Sequence, residues 1–385
     1  MRFFGEAPAS LSFGRIVSSV KVWFLQRRSS FSILILTFVS LFFLGIIEFF
    51  PVMETVSDFE IKQKASENAY RCFQKIKALR IQKGLNIDPN LDPSLSGLIG
   101  VELSSVTSSS GKLSSKQASV HPDFAIWFVD QFLRAGLKKD DAISAGISGS
   151  FPALNIAFYS AADAMGLRVN VIGSVSSSQY GANLPEFLWP EWENFLFQEG
   201  LIFQRAHAYS TGGIDDQGIG IDTFGVRQIR ASIKKNGYRF LSVSSFEDSL
   251  IQRIHIYEKS NVRLYVNVGG GTISTGTSLG KKKIPRGLVW EMEESSDLPD
   301  SILKFYLEKK IPILHVIGIE TISEESGIVY KKGQIAKPGT SNLLYHTSKN
   351  RWLSGVFFLL LVFMILKFSP WIAKNEKEEE NTIHL

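Results

Sequence analysis

Two apolar runs near the ends of the chain limit what this sequence can fold into. Residues 31–50 read FSILILTFVSLFFLGIIEFF, and Glu48 is the only charge among them. An apolar helix of about 20 residues crosses the hydrocarbon core of a bilayer. Residues 352–368 form the second run, which carries no charge before Lys367. The sequence therefore predicts two transmembrane helices, at 31–50 and 352–368, with a large domain between them.

The charges that flank the first run predict its orientation. Basic residues, among them Arg27 and Arg28, precede it, whereas acidic residues such as Glu54 follow it. Positively charged flanks stay in the cytoplasm, and no small-residue cleavage pattern follows the run. We therefore expect a multi-pass protein of the cell membrane, with a basic N-terminus (1–30) and a charged tail (369–385) in the cytoplasm. The domain between the spans would be extracytoplasmic.

Charge and cysteine content narrow the functional classes. The formal net charge is +5 at pH 7, a modest excess that membrane-flanking lysines and arginines can account for. Nucleic acid is therefore not an expected partner. Cys72 is the only cysteine, which excludes an internal disulfide and a zinc site built from several thiolates. The sequence identifies no cofactor.

Residues 51–120 are predicted to form a membrane-proximal helix and a linker. Residues 54–83 contain neither proline nor glycine and repeat apolar side chains at near-helical spacing. Residues 104–119 read SSVTSSSGKLSSKQAS, a composition typical of exposed, adaptable segments. The helix would thus be followed by a serine-rich linker.

Residues 121–345 alternate between segments typical of strands and of helices. The stretches 141–148 (DAISAGIS) and 167–174 (LRVNVIGS) predict two strands joined by a helix, which is a βαβ unit. Residues 262–268 (VRLYVNV) predict the strongest strand, and 311–319 predict a further apolar one. This pattern predicts an α/β fold, with a mainly parallel sheet and helices on both faces, flanked by the two transmembrane helices.

Polar, glycine-rich segments follow five of the predicted strands. Ligands of open α/β sheets bind at the carboxyl ends of the strands, where the strand order reverses. Glycines permit close backbone approach, and free N–H groups of helix starts favour anions. The sequence thus predicts a carboxylate or phosphate site with the ligand-binding residues Asn155, Ser176, Ser177, Asn183, Thr211, Asp215, Asp216, Gly269, Gly270, Gly271 and Thr272. Alternatively, the same residue types only cap helices and form turns.

Two serines are candidates for a catalytic nucleophile. Residues 146–150 (GISGS) resemble a nucleophile elbow, although Ser150 stands where the motif has its last glycine. Ser148 or Ser150 would need a base, and the amides of the glycine triplet at 269–271 would stabilise an oxyanion. His255 and His315 follow in the order of a serine triad. Their predicted positions, inside a helix and a buried strand, favour structural roles.

The glycines and acidic residues around the predicted site match neither of two nucleotide-binding motifs nor the EF-hand. The triplet Gly269–Gly271 lacks the spacing of a dinucleotide fingerprint, and no P-loop ending occurs. Asp215, Asp216 and Asp222 lie in GGIDDQGIGID, where a calcium or magnesium site is conceivable, but their spacing fits no EF-hand. We interpret them as solvated turn residues and predict no metal site.

Six blocks of the chain resemble the poly-gamma-glutamate system protein family. They are GLIGVELSSVTSSSG (97–111), HPDFAIWFVDQFLRAGLKKDD (121–141), GISGSFPALNIAF (146–158), SSSQYGANLPEF (176–187), YSTGGIDDQGIG (209–220) and VNVGGGTISTG (266–276). The resemblance implies a membrane-bound accessory protein of poly-gamma-glutamate (capsule) biosynthesis or export, with no catalytic residues to carry over. Its expected partners are the polymer or the synthesis and export subunits, and the membrane.

These observations lead to two hypotheses of function that belong to different classes. In the first, the α/β domain binds the polymer or a partner subunit through the loops at the strand ends, without turnover. In the second, a serine in the same crevice hydrolyses or transfers a gamma-glutamyl amide. A base within about 3 Å of a serine hydroxyl would favour the second.

Overall fold

The structure is a computed structural model that describes residues 34–383, apart from 270, 277 and 294; the side chains of 278, 279 and 368–383 are not described. The chain divides into two compact units. The terminal unit contains the described residues up to Glu54 and from His346 onward, and the central unit is Thr55–Tyr345.

Helices and strands alternate along the chain. The helices are α1 (34–49), α2 (Phe59–Gln82), α3 (Leu113–Ser119), α4 (Phe124–Arg134), α5 (Pro152–Met165), α6 (Trp189–Gln198), α7 (Thr223–Lys235), α8 (Phe246–Tyr257), α9 (Thr272–Thr275), α10 (Ser278–Lys283), α11 (Ile302–Glu308), α12 (Ile319–Glu325) and α13 (Arg351–Ile383), with a 3₁₀ turn at Ser295–Asp297. The strands are β1 (Val52–Thr55), β2 (Thr107–Ser109), β3 (Ala142–Ser148), β4 (Arg168–Ser174), β5 (Ser177–Ser178), β6 (Asn183–Leu184), β7 (Phe187–Leu188), β8 (Ala208–Ser210), β9 (Arg239–Phe240), β10 (Val262–Val268), β11 (Gly287–Val289), β12 (Ile313–Val316) and β13 (Tyr345–Ser348).

The terminal unit contains the long helices α1 and α13. The rings of Phe43 and Phe357 stack with their centroids 4.1 Å apart, and β1 pairs with β13. Within residues 34–383, no helix combines the length and the apolar character that a membrane crossing requires. The predicted basic N-terminus and the first three residues of the predicted span at 31–50 lie outside the described residues. The two transmembrane helices therefore stay predictions.

The central unit is built on a seven-stranded sheet in the order β11-β12-β10-β3-β4-β8-β9. All neighbouring strands are parallel except β11, which runs antiparallel to β12. The chain passes from β3 through α5 to β4 on one side of β3, and later returns to place β10 on the other side. The predicted α/β fold with a mainly parallel sheet is confirmed.

Two hydrophobic cores, one on each face, hold the sheet between helices. Successive side chains of β10 enter different cores. Leu264 and Val266 lie in the core that contains α2, α4 and α5, whereas Tyr265 lies in the core that contains α8 and α11. Successive side chains of a strand point to opposite faces, so helices cover both faces. This packing explains why β3 and β10 are buried along nearly their whole length.

The serine-rich segment differs from its predicted role as an exposed linker. It contains β2, which pairs in parallel with β5, and the helix α3. Val106 and Ala118 enter the main core, and Lys116 is only 2% exposed. The segment therefore belongs to the central unit and not to a separate region before residue 121.

Some predicted elements have different ends in the structure. The apolar stretch 311–319 is a strand only from Ile313 to Val316, because Gly318 adopts a left-handed backbone (φ 64°) and starts α12. Left-handed geometry interrupts a strand and is accessible to glycine without a steric cost. The predicted helix at 54–83 begins at Phe59, after Asp58, which is also left-handed.

Candidate functional site

A cavity of ≈ 390 Å³ lies at the carboxyl ends of the parallel strands. Its walls include residues that follow β3, β4, β8, β10 and β12, together with the serine-rich segment 108–116. The strand order reverses between β3 and β10, because β4 lies on one side of β3 and β10 on the other. This is the position at which open α/β sheets bind their ligands.

The cavity brings together part of the residues predicted from the sequence. Those that line it are Ser148, Ser150, Ser176, Asp216, Gly269, Gly271 and Thr272. Those that do not line it are Asn155, Ser177, Asn183, Thr211 and Asp215. Gly270 lies outside the described residues.

Three of the polar residues that do not line the cavity bond to the protein itself. Asn155 Nδ2 donates to the carbonyl of Ser148 (2.9 Å). The amide of Asn183 bonds to both the N–H and the carbonyl of Val101, at 3.0 and 2.8 Å. Ser177 Oγ donates to the backbone carbonyl of the next residue. These side chains satisfy buried backbone groups, so the capping and turn interpretation holds for them.

The loop between β9 and α8 has a local role. Ser245 Oγ accepts a hydrogen bond from the backbone N–H of Asp248, at 3.1 Å, and thereby caps α8. Asp248 in turn accepts bonds from the N–H and hydroxyl of Ser244. Neither residue lines the cavity. This loop is a helix cap, as its residue types allow.

Cationic side chains exceed anionic ones around the cavity. Among the described residues that line it, Lys112, Lys116, Arg253 and Lys281 are basic, and Asp216 is the one acid. Lys112 also forms an ion pair with a glutamate outside the lining, at 2.7 Å. A concave site with a surplus of one charge sign concentrates ligands of the opposite sign. The cavity therefore favours anions.

Arg253 and Asp216 form a buried ion pair in the cavity wall. Arg253 Nη2 lies 2.8 Å from Asp216 Oδ2, and both side chains are at most 3% exposed. Asp216 also accepts hydrogen bonds from the hydroxyls of Ser174, Ser210 and Ser249, at 3.1, 2.5 and 2.6 Å. The predicted solvated turn aspartate is thus a fully bonded structural group, which fixes the guanidinium and keeps it charged.

Lys116 is a buried amine without a carboxylate partner. Its Nζ lies 2.8 Å from Ser178 Oγ, bonds to the carbonyl of Ser150, and lies 3.8 Å from the ring centroid of Phe151. No carboxylate among the described residues pairs with it, and Lys281 adds like charge nearby. Burial, and then the charge of Lys281, lower the pKa of Lys116 from 10.5 to about 7.

Two glycines of the cavity wall are packed too closely against neighbouring side chains to carry a side chain of their own. A Cβ on Gly212 would lie 2.2 Å from Ser176 Oγ, and one on Gly146 would lie 2.4 Å from Tyr265 Oη.

Gly269 has φ +103°, a backbone conformation that residues with a side chain rarely adopt. Its N–H donates to the carbonyl of Val316 at 3.1 Å. That amide is already bonded, so the predicted oxyanion role of the triplet does not extend to Gly269.

Neither His255 nor His315, the possible triad members that we expect to be structural, bonds to the candidate serines in the described structure. His315 lies on β12 with its Nδ1 3.0 Å from the amide nitrogen of Asn267, and burial lowers the pKa of His315 to about 4. Within the described part of the chain, no histidine bonds to Ser148 or Ser150. The described residues also hold no cluster of three or more metal-ligating side chains.

Sequence reasoning missed the basic residues of the site. Lys116 and Lys281 stand in polar, lysine-containing segments that are usually solvated, and Arg253 follows a helical pattern with ordinary surface charge. One feature of the sequence could have indicated the role of Lys116: no acidic residue stands three or four positions away from it, so its charge has no partner on the same helix. A family-model comparison, a comparison with curated proteins and a comparison with solved structures all find no match to this chain.

Proposed function

We propose that the cavity binds a carboxylate-rich anionic chain, and specifically poly-gamma-glutamate. The observation that carries this proposal is the charge of the lining, in which basic side chains exceed acidic ones. Arg253 is paired with Asp216 and Lys112 with Glu320, whereas Lys281 has no carboxylate partner among the described residues. Each residue of a gamma-linked glutamate chain offers one free carboxylate. Hydroxyls and glycine backbone around the cavity supply further hydrogen bonds without a competing negative charge.

In this proposal the protein is a membrane-anchored accessory factor of polymer synthesis or export. The apolar runs at 31–50 and 352–368 would be the membrane spans, and the flanking charges would put the central unit on the extracytoplasmic side. Its partners would be the polymer and the synthesis or export subunits. The resemblance of six sequence blocks to the poly-gamma-glutamate system family supports this part of the proposal.

Binding of the polymer by the full-length protein in detergent tests the proposal. Two variants on one helix provide a matched pair, since Lys281 lines the cavity and its exposed neighbour Lys282 does not. We expect Lys281→Gln to weaken the affinity for poly-gamma-glutamate and Lys282→Gln to leave it nearly unchanged, although both remove one charge. Equal weakening by both variants would indicate nonspecific attraction to a basic surface and would refute a cavity site.

A second candidate function is hydrolysis or transfer of a gamma-glutamyl amide. One observation favours it: the buried amine of Lys116 lies in the cavity wall next to serine hydroxyls. A lysine that is neutral near pH 7 can act as a general base. Shortening of the polymer during incubation with the full-length protein, followed by size-exclusion chromatography, would distinguish this function from binding alone.

A further inference from the structure

We propose that Ser178 is the nucleophile of an amide-cleaving centre in this cavity and that Lys116 is its base. The inference rests on the second proposed function and assigns its chemistry to residues other than Ser148 and Ser150. The substrate class is a secondary amide within an anionic chain, as in a gamma-glutamyl polymer.

The hydrogen-bond geometry distinguishes Ser178 from Ser148 and Ser150. Lys116 Nζ lies 2.8 Å from Ser178 Oγ, within the range for direct proton transfer. Ser148 Oγ and Ser150 Oγ, in contrast, each accept a bond only from a backbone N–H among the described residues. A serine without a base is a weak nucleophile. Of Ser148, Ser150 and Ser178, Ser178 is therefore the one with a side-chain base beside its hydroxyl among the described residues.

The fold holds the pair in place. Ser178 lies on β5, which pairs with β2, and its N–H donates to Ser150 Oγ at 3.0 Å. Lys116 lies on α3, directly after β2 in the chain, and bonds to the carbonyl of Ser150. Both partners thus contact the turn after β3. A site whose groups are fixed by backbone bonds has the preorganisation that catalysis needs.

The electrostatic surroundings favour the neutral amine. Lys116 is 2% exposed, and no described carboxylate pairs with it, so the protonated form loses hydration without gaining a counter-charge. The nearby charge of Lys281 acts in the same direction. A substantial fraction of Lys116 is then unprotonated near neutral pH and can accept the hydroxyl proton of Ser178.

The cavity gives a substrate access to Ser178. Ser178 lines it, and so does Gly111. A Cβ on Gly111 would lie 3.2 Å from Ser178 Oγ and 2.6 Å from the carbonyl oxygen of Gln179. A side chain at position 111 would therefore crowd the nucleophile, whereas glycine leaves the approach open.

The reaction balances with water as co-substrate. Ser178 Oγ attacks the amide carbonyl carbon while its proton passes to Lys116 Nζ. The C–N bond then breaks, the leaving amine takes that proton, and the acyl group stays on Ser178 as an ester. Water attacks the ester, gives a proton to Lys116, and Ser178 recovers its hydrogen as the carboxylic acid leaves. An acceptor amine in place of water would give transfer.

A fluorophosphonate probe on the full-length protein in detergent tests the assignment without polymer. The probe should phosphonylate Ser178, with loss of fluoride, and peptide mass spectrometry should locate the adduct there. The labelling rate should rise with pH and level off above pH 7–8, as Lys116 loses its proton. Labelling at Ser148 or Ser150, or no serine labelled above the denatured control, would overturn the proposal.

Three variants complete the test. Ser178→Ala should abolish labelling, and Lys116→Met, which keeps the length of the side chain, should slow it by about 100-fold or more, the usual scale of general base catalysis. Ser160→Ala is the matched control, because Ser160 is a buried serine on α5 that does not line the cavity. Circular dichroism verifies that each variant is folded. An unchanged rate in folded Lys116→Met would refute the role of the lysine.

Polymer assays separate failure of this inference from failure of the proposed function. If the wild-type protein binds poly-gamma-glutamate but neither shortens nor extends it, the catalytic inference fails and the binding function stands. If the polymer is not bound at all, the proposed function fails, and with it the gamma-glutamyl substrate. Shortening by wild type and Ser160→Ala, but not by Ser178→Ala, is the result we expect.

Discussion

Replacement of Lys116 by methionine should make the stability of the protein depend less on pH, and the size of the effect follows from burial. The pKa of Lys116 is about 7 in the fold, against 10.5 for an ordinary lysine. Between these values the unfolded chain binds more protons than the folded one, so the free energy of unfolding of the wild type rises with pH. One pKa unit corresponds to about 1.4 kcal/mol.

The difference in the free energy of unfolding between wild type and Lys116→Met isolates the contribution of the Lys116 proton. From pH 7 to pH 9 the wild type should gain roughly 2 to 3 kcal/mol relative to the variant, with a plateau below about pH 6, where both states are protonated. Lost hydrogen bonds to Ser150 and Ser178 add a constant offset that does not change the slope. Burial raises the pKa of Cys72 to about 12, but that effect is common to both proteins and cancels.

Urea unfolding of both proteins in the same detergent, followed by tryptophan fluorescence at half-unit pH steps, measures the difference. A difference curve that is flat between pH 7 and pH 9 would mean that Lys116 keeps its proton in the folded protein. The amine would then be no base near neutral pH, and burial would not have lowered its pKa. If the difference in the free energy of unfolding begins to rise only well above pH 8, the pKa of Lys116 in the fold is higher than about 7.

Three further perturbations should have measurable effects. Asp216→Asn leaves the buried guanidinium of Arg253 without its counter-charge, and we expect a loss of about 3–5 kcal/mol in the free energy of unfolding, measured by urea titration; a loss below about 1 kcal/mol would contradict this. Gly173→Ala would place a Cβ 2.0 Å from Cε1 of the fully buried Tyr209 ring, and overpacking of this kind should cost about 1–3 kcal/mol or more, visible as a lower melting temperature. The contribution of Lys281 to polymer affinity should decline with salt, because the screening length falls from about 10 Å at 0.1 M to about 3 Å at 1 M; a salt-independent difference between Lys281→Gln and wild type would argue against a charge contact.

The sheet was predictable from the sequence because its central strands carry their own signal. The strands β3, β4 and β10 lie within one residue of the segments expected at 141–148, 167–174 and 262–268. Strands covered on both faces are apolar at successive positions, and the flanking glycines and serines mark their ends. The carboxyl-end location of the cavity followed from the same pattern, since parallel strands bring their following loops to one edge.

The chemistry of the site was not predictable in the same way, because it depends on contacts between distant segments. Lys116 contacts residues that are 34 and 62 positions away, and Arg253 bonds to Asp216 across 37 positions. Spacing along a helix or strand carries no information on such pairs. The serine-rich composition of residues 104–119 indicated a linker, and only the packing of Val106 and Ala118 into the core makes it a wall of the cavity.

The two buried cations of the cavity are held in opposite ways, and this difference connects binding to chemistry. Arg253 bonds to Asp216 and to three serine hydroxyls, so its charge is compensated, and a guanidinium does not lose its proton in proteins. Lys116 has hydroxyl, carbonyl and aromatic neighbours but no paired carboxylate, and an amine in such surroundings readily becomes neutral. A site that only concentrated anions would gain from keeping both charges, since each would attract a carboxylate. The cost of burying an uncompensated amine is consistent with selection for its proton transfer, and it is the physical reason to consider turnover as well as binding at this edge of the sheet.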